Sequence, residues 1–396
     1  MTAERSEVLL GWGARPLTLR APAGVSLRVL APPAPRAVDL GDALEDALLH
    51  PTGARPLAQV ASARTRVVVV VSDESREEPR AELFLAVRRA LAAVRDDHLT
   101  VAVATGTHGP ARLDRLGLPE DLLRRHRVVN HDARDEAAMV EMGRTSRGTR
   151  LRVNRCLAEA DLVVATGRVK PHHVAGWGGG AKAIFPGLAH REDVQRNRAL
   201  AADPASLLGA ADGNPCREDF EEAARRLGRD TWMLNVVEVR GAVVGAVGGD
   251  LVYAHREGVR IARPACEVRA AAADCVVVSA PLPVSSSLRQ ASKLVAPAGL
   301  LLREGGTAIV VAECPNGVGP LAVDEEVLAR ARRCLPESCE LVVVSGLDEA
   351  TVRSAGAIFA PTVEAALGRA RERSGKGVLD VLVLPDAADL VPRRAG

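Results

Sequence analysis

Lysine is nearly absent from this chain: Lys170, Lys182, Lys293 and Lys376 are the only four among 396 residues, and almost all the positive charge is arginine. Arginine stays protonated, whereas lysine can be neutralised and used as a nucleophile, so each lysine is a candidate for chemistry as well as for ordinary surface charge. Charge imbalance is missing too. The formal net charge is +2, with no basic run interleaved with aromatic residues, which excludes a nucleic-acid footprint and leaves small molecules as partners. The seven cysteines show no C-x-x-C and no regular spacing, the pattern of reduced thiols in a cytoplasmic protein. No apolar stretch approaches the ~18 residues of a membrane span, and the opening MTAERSEVLL lacks a basic segment leading into an apolar one. The expectation is a cytoplasmic protein without membrane association, whose 47% apolar content suffices for two domains with separate cores.

What is present is alternation. RTRVVVVVSD is a β-branched run bounded by turn residues, as in a parallel strand covered on both faces, and it ends near Ser72. AELFLAVRRALAAV follows with helical spacing, then LTVAVATGTHGP as strand and loop, DLLRRH as a short helix, RVVNHD as a strand, and ADLVVATGRVKPHH as a strand. WMLNVVEVRGAVVGAVGGDLVYAHREG suggests a hairpin and a helix. A second alternating block runs from DCVVVSAP to VLDVLVLPD, with a helix expected over DEEVLARARRCL. The pattern predicts two α/β domains, each an open, mostly parallel sheet with flanking helices, over residues 1–262 and 263–396. The last residues have room to pack back on the first domain.

Ligands of such sheets sit beyond the carboxyl ends of the strands. The polar residues fall there: Asp73 and Arg76, Thr105 to His108, and Arg168 to His172. The densest segment is KPHHVAGWGGGAKAIFPG, residues 170–187. It is not a Walker A loop, because alanine stands at the second glycine and after Lys182, and no G-x-S-x-G elbow occurs in the chain. Successive glycines let backbone N–H groups approach an anion, and Lys182 supplies charge or a nucleophile. His172 and His173 adjoin on an extended chain, so they should point to opposite sides. With His108 they offer imidazoles suited to proton transfer. His126 and His131 lack further ligands at metal spacing and are read as structural.

These residues resemble the lactate racemase family. The resemblance rests on SDESREEP, TGTHGP, KPHHVAGWGGGAKAIFPG, ADPASLLGAADGNP and LRQASK, which occur in the family's order from about residue 65 to 320. It implies a two-domain protein with the active site in the interdomain cleft, acting as a racemase or epimerase of a 2-hydroxy acid. The implied cofactor is a nickel-pincer nucleotide, supplied by separate cofactor-biosynthesis enzymes and tethered to a lysine. By position Lys182 is that lysine, His108 and His172 are the catalytic acid/base pair, and Arg76, Gln290 and Lys293 hold substrate. Asp73, Gly178, Gly179 and Gly180 contact the nucleotide. Hydride passes from Cα to the cofactor and returns to the opposite face. In one place the chain departs from the family: a nickel-binding histidine in an Asn-His pair is here Asn197-Arg198, and arginine has no lone pair for a metal. Either His173 or His190 completes the nickel site, or the pincer holds the metal alone, or the metal is not used. A serine common in the family is also replaced, by Gly178. The alternatives are a nucleotide-binding protein that has lost racemisation, and an enzyme of net redox or elimination on a hydroxy acid.

Overall fold

The structure is a computed structural model that describes residues 2–4, 6–319 and 328–395. The chain divides into two compact units, residues 35–264 and residues 1–34 with 265–396.

In residues 35–264 a six-stranded sheet has the spatial order Ala242–Gly249, Asp230–Val239, Leu162–Val169, Val67–Ser72, Leu99–Ala104, Arg127–Asn130. All neighbours are parallel except the first pair, a hairpin. Its turn residues Arg240 and Gly241 both have positive φ, 50° and 77°, the backbone twist that suits a two-residue turn to the strand twist. Val67 to Val71 are all buried, as expected where helices cover both faces. The helix Arg80–Ala90 packs Leu83, Phe84 and Val87 into the core beside Val69 and Val71. The registers Ser72↔Ala104, Val103↔Asn130 and Val70↔Ala165 align the strand ends, so the loops after Ser72, Ala104 and Val169 share one edge. An antiparallel pair, Met139–Arg144 with Arg150–Asn154, escapes the sequence reading, because its short, charged strands lack a continuous apolar run.

The other unit holds a seven-stranded sheet in the order Thr2–Glu4, Val25–Leu30, Leu379–Leu384, Ala273–Ser279, Leu302–Val311, Glu340–Val344, Ile358–Phe359. Alternate residues enter two apolar clusters, Val276, Val278, Leu382 and Leu384 in one and Val277, Ile309, Val381 and Val383 in the other. The expected division of the chain is therefore changed at the N-terminus, while the boundary expected between residues 262 and 263 falls at 264/265. Val25–Leu30 pairs in parallel with Leu379–Leu384, and Arg28 forks onto Asp380 at 2.8 and 2.9 Å, so the first 34 residues belong with the C-terminal sheet, whose strand they flank. The final strand, Val391–Arg394, pairs with Glu267–Ala270 and stays in the same unit. The helix expected over residues 324–335 falls partly outside the described residues; Ala329–Arg332 is the helical turn seen.

No helix among the described residues is long and apolar enough to cross a membrane. All seven cysteines are free, and only Cys334 is exposed.

Candidate active site

The site is built at the aligned strand edge of residues 35–264. Immediately after Ser72 the chain turns, and the Asp73 side chain, 5% exposed, accepts from the Ser75 amide at 2.9 Å and from the Ser75 hydroxyl. Its other oxygen lies 2.7 Å from His108 Nδ1. Burial works against the charge of Asp73, but the bonds from His108 and Ser75 and the nearby Arg76 outweigh it, so the carboxyl stays below its ordinary range. An ionised carboxylate only accepts, so His108 donates Nδ1–H and presents Nε2 with its lone pair outward.

Arg80 braces this turn from below. The residue is 6% exposed, and its guanidinium donates to the carbonyls of Asp73 (2.8 Å), Arg76 (2.7 Å) and Leu116. Arg76 itself is exposed at the edge. Two other polar residues of the edge are structural: Thr105 donates to the His131 carbonyl at 2.8 Å, and Arg168 pairs with Glu238 at 2.6 Å. His131 and His126 are buried, bonded to the carbonyls of Ala189 (3.2 Å) and Asp96 (3.2 Å), which agrees with their structural reading.

After Val169 the chain forms a minimal antiparallel pair, Pro171–His172 with Gly176–Trp177. Gly176 has φ +70°, and a Cβ there would stand 1.8 Å from the Ala210 carbonyl, so only glycine fits. The strand is only two residues long, so the turn begins at His173. The rings of His172 and His173 consequently stack, with centroids 4.7 Å apart and planes at 19°, correcting the expectation that they diverge. His172 Nδ1 accepts from the amides of Val174 (3.2 Å) and Ala175 (3.1 Å). The hydrogen of the neutral ring therefore sits on Nε2, opposite to the arrangement at His108.

The glycine run departs from an open anion cradle. The Gly178 amide donates to the Lys170 carbonyl at 2.7 Å, and the Gly180 amide to Asn235 Oδ1 at 2.8 Å. The carbonyls of the run are held as well. Arg217, fully buried, donates to Gly179 O at 3.1 Å and to Trp177 O, and His255 Nε2 lies 2.9 Å from Gly178 O. Burial pulls the Arg217 guanidinium down to about 10, against the raising influence of Glu221, and it stays a cation at neutral pH. His255 is held neutral, its pKa far below the ordinary value, by burial and by the charges of Arg217 and Arg256. Asn235, Arg217 and His255 were not singled out from sequence. Asn235 alone left a signal, as the one polar residue inside the buried run MLNVV.

This held segment delivers Lys182 in the 3-10 turn Gly180–Ala183. Its carbonyl accepts from Gly187 N at 3.2 Å, and Gly187 O accepts from Gly106 N at 2.9 Å, which stitches the lysine segment to the loop that carries His108. Arg198, in the last turn of Arg191–Ala199, reaches the same loop and donates to Thr107 Oγ1 at 2.9 Å. His190 is a poor metal donor: Nδ1 accepts from the Glu192 amide at 3.4 Å and Nε2 lies 2.9 Å from Glu136. Among the described residues no cluster of three or more His, Cys, Asp or Glu could hold a metal ion. Lys182 is half buried on this segment, Arg198 offers no lone pair to a metal, and His173, stacked on His172, is the remaining candidate donor. Gln290 and Lys293 lie in the other unit on the turns Leu288–Ala291 and Ser292–Leu294, where Lys293 Nζ donates to Gln290 Oε1.

The family model of the lactate racemase N-terminal domain matches residues 12–209, half of the chain. The lactate racemase of Thermoanaerobacterium thermosaccharolyticum is 29% identical over 325 residues, 77% of this chain and 76% of that protein. The lactate racemase of Lactiplantibacillus plantarum is 28% identical over 285 residues, covering 70% and 67%. The fold is that of the lactate racemase apoprotein from Thermoanaerobacterium thermosaccharolyticum, with a TM-score of 0.87 over 98% of this chain and 100% of that one, at 23% identity. The strand-edge turn at Asp73, the His108 loop and the Lys182 segment all lie inside the matched region, and the chain belongs to the lactate racemase family, a family of isomerases.

Proposed function

We propose that this chain racemises or epimerises a 2-hydroxy acid, using a pincer nucleotide tethered at Lys182. The observation that carries the reading is the stitching of two loops at one strand edge, one bearing a carboxylate-braced imidazole and the other a lysine on a rigid segment. Lys182 would hold the nucleotide, which would supply a pyridinium ring able to accept and return the Cα hydride. Biosynthesis enzymes that make it are the protein partners this reading requires. Gly178 to Gly180 and Asp73 line the nucleotide's segment of the site, and Asp73 also orients His108.

His108 takes the hydroxyl proton at Nε2, and the Asp73 carboxylate stabilises the imidazolium that forms. His172 serves the opposite enantiomer. In the described geometry its Nε2 carries hydrogen, so it meets the substrate oxygen as a donor, and taking up a proton requires the ring to leave the Val174 and Ala175 amides. Arg76, on the loop after Ser72, binds the substrate carboxylate, a role suited to a cation, and Gln290 and Lys293 are the substrate-binding residues that the family resemblance implies for the other unit. No step is assigned to nickel: Arg198 cannot ligate it and His190 is bonded to Glu192 and Glu136, which leaves His173, stacked on His172, as the candidate donor.

The test is co-expression with the cofactor-synthesis enzymes, then intact mass and turnover of an α-deuterated 2-hydroxy acid. A mass increase on Lys182 and inversion with the label kept support the reading. Loss of deuterium to solvent would instead indicate net redox or elimination. An unmodified Lys182 with no inversion would leave a nucleotide-binding protein without racemisation, the reading that arginine at position 198 in place of a metal-binding histidine supports.

A further inference from the structure

We infer that Arg198 is an oxyanion anchor of this site, holding the carboxylate of the bound hydroxy acid beside His108; the inference rests on the hydroxy-acid reading above. The helix Arg191–Ala199 fixes where Arg198 must point. Its inward face is set by Asp193, Val194 and Asn197, all buried, with Asn197 bonded to Asp219 at 2.8 Å and to the Cys216 carbonyl at 3.3 Å. Arg198 follows Asn197 by about 100° of rotation and stands one turn beyond Val194, at the margin of that face and half buried. From there Nη2 bonds Thr107 Oγ1 at 2.9 Å.

Thr107 immediately precedes His108, whose ring is fixed by Asp73 at 2.7 Å. In a 2-hydroxy acid the carboxylate and the hydroxyl are borne on adjacent carbons, so the groups that grip them must also be neighbours. The guanidinium is bonded to Thr107 and the imidazole is borne by the next residue, so both groups are held by one loop. The planar fork suits a carboxylate, it keeps its charge at every working pH, and the Thr107 bond orients it in advance. A phosphate of a nucleotide presents the same oxyanion chemistry, so both are tested.

The cofactor-free full chain is titrated calorimetrically with oxalate, standing in for the hydroxy-acid carboxylate, and separately with adenosine monophosphate. Arg198→Gln is expected to weaken oxalate at least ~10-fold, the loss of one charge-assisted contact, with adenosine monophosphate unchanged within twofold. Arg198→Lys, which keeps the charge and loses the fork, retains an intermediate affinity. Thr107→Val, which leaves the cation but removes its orienting hydroxyl, weakens oxalate severalfold and serves if Arg198→Gln fails to fold. Equal weakening of both ligands, weakening of adenosine monophosphate alone, or no change in either overturns the assignment. The measurement uses neither cofactor nor turnover, so it stands or falls separately from the fate of Lys182.

Discussion

The Asp73 carboxylate stands 2.7 Å from His108 Nδ1 with its side chain 5% exposed, while the imidazole it holds is 48% exposed. One partner is fixed by the core and the other faces outward, which lets the protein interior dictate the tautomer of a group that meets substrate.

Asp73→Asn keeps the shape and removes the charge. Turnover of the loaded enzyme should fall ~10- to 100-fold, less than the ~100-fold or more expected when the imidazole itself is removed, while the adduct on Lys182 still forms. Equal losses in His108→Ala and Asp73→Asn would show that the imidazole contributes nothing without its carboxylate partner.

Lys182→Ala should abolish the covalent adduct seen by intact mass and the activity with it. His108→Ala and His172→Ala should carry the adduct and lose at least ~100-fold in turnover. Full activity of Lys182→Ala would end the tethered-cofactor mechanism.

Two neighbouring glycines should respond differently to alanine. At Gly179, φ is +79° and a Cβ would lie 2.5 Å from Asn235 Oδ1 and 2.9 Å from the Arg168 carbonyl, so Gly179→Ala should cost at least ~2 kcal/mol. At Gly178 the nearest atom to a Cβ is 3.4 Å away, an ordinary contact, and Gly178→Ala should stay within ~1 kcal/mol. Urea unfolding midpoints of the two variants decide, and equal losses would contradict the packing described for the run.

Acid should destabilise the fold through a buried imidazole. Burial pulls His131 down to about 4, against the bond to Ala189 and the nearby Asp132, whereas the unfolded chain titrates near ~6.5. Between these values the unfolded state binds the extra proton, so the His131 contribution is complete above pH 6.5 and drains as pH falls to 4, by ~3 kcal/mol in all. His255 acts in the same direction. His131→Gln should be less stable at pH 7 and show a shallower decline in urea melts between pH 6.5 and 4. An unchanged slope would mean the imidazole is not the group titrating.

The strands at the site were legible because each is a continuous apolar run closed by polar residues: VVVVVS, LTVAVA and LVVATGRV are strands with the expected carboxyl ends. The loops after them could therefore be named from sequence, and so could His108, His172 and Lys182 as candidates. The support behind these residues was not legible. Arg217, Asn235 and His255 lie far along the chain from the glycine segment, and nothing in their local spacing says which carbonyl or amide they meet. The stacking of His172 and His173 was also hidden, because the alternation rule presumes a strand longer than the two residues found here. The placement of the first 34 residues was missed for a related reason: a strand partner separated by most of the sequence leaves no mark in either segment alone.

That long-range pairing has a consequence for biosynthesis. Val25–Leu30 is synthesised long before its parallel partner Leu379–Leu384. At ~5–20 residues per second the wait is on the order of tens of seconds. Residues 35–264 form a compact unit from contiguous chain and can close within that interval, whereas the other sheet cannot be completed until Leu379–Leu384 has been made. A chain truncated before Leu379 would retain an intact central unit and carry an open sheet edge, the surface through which strands of separate molecules recruit one another.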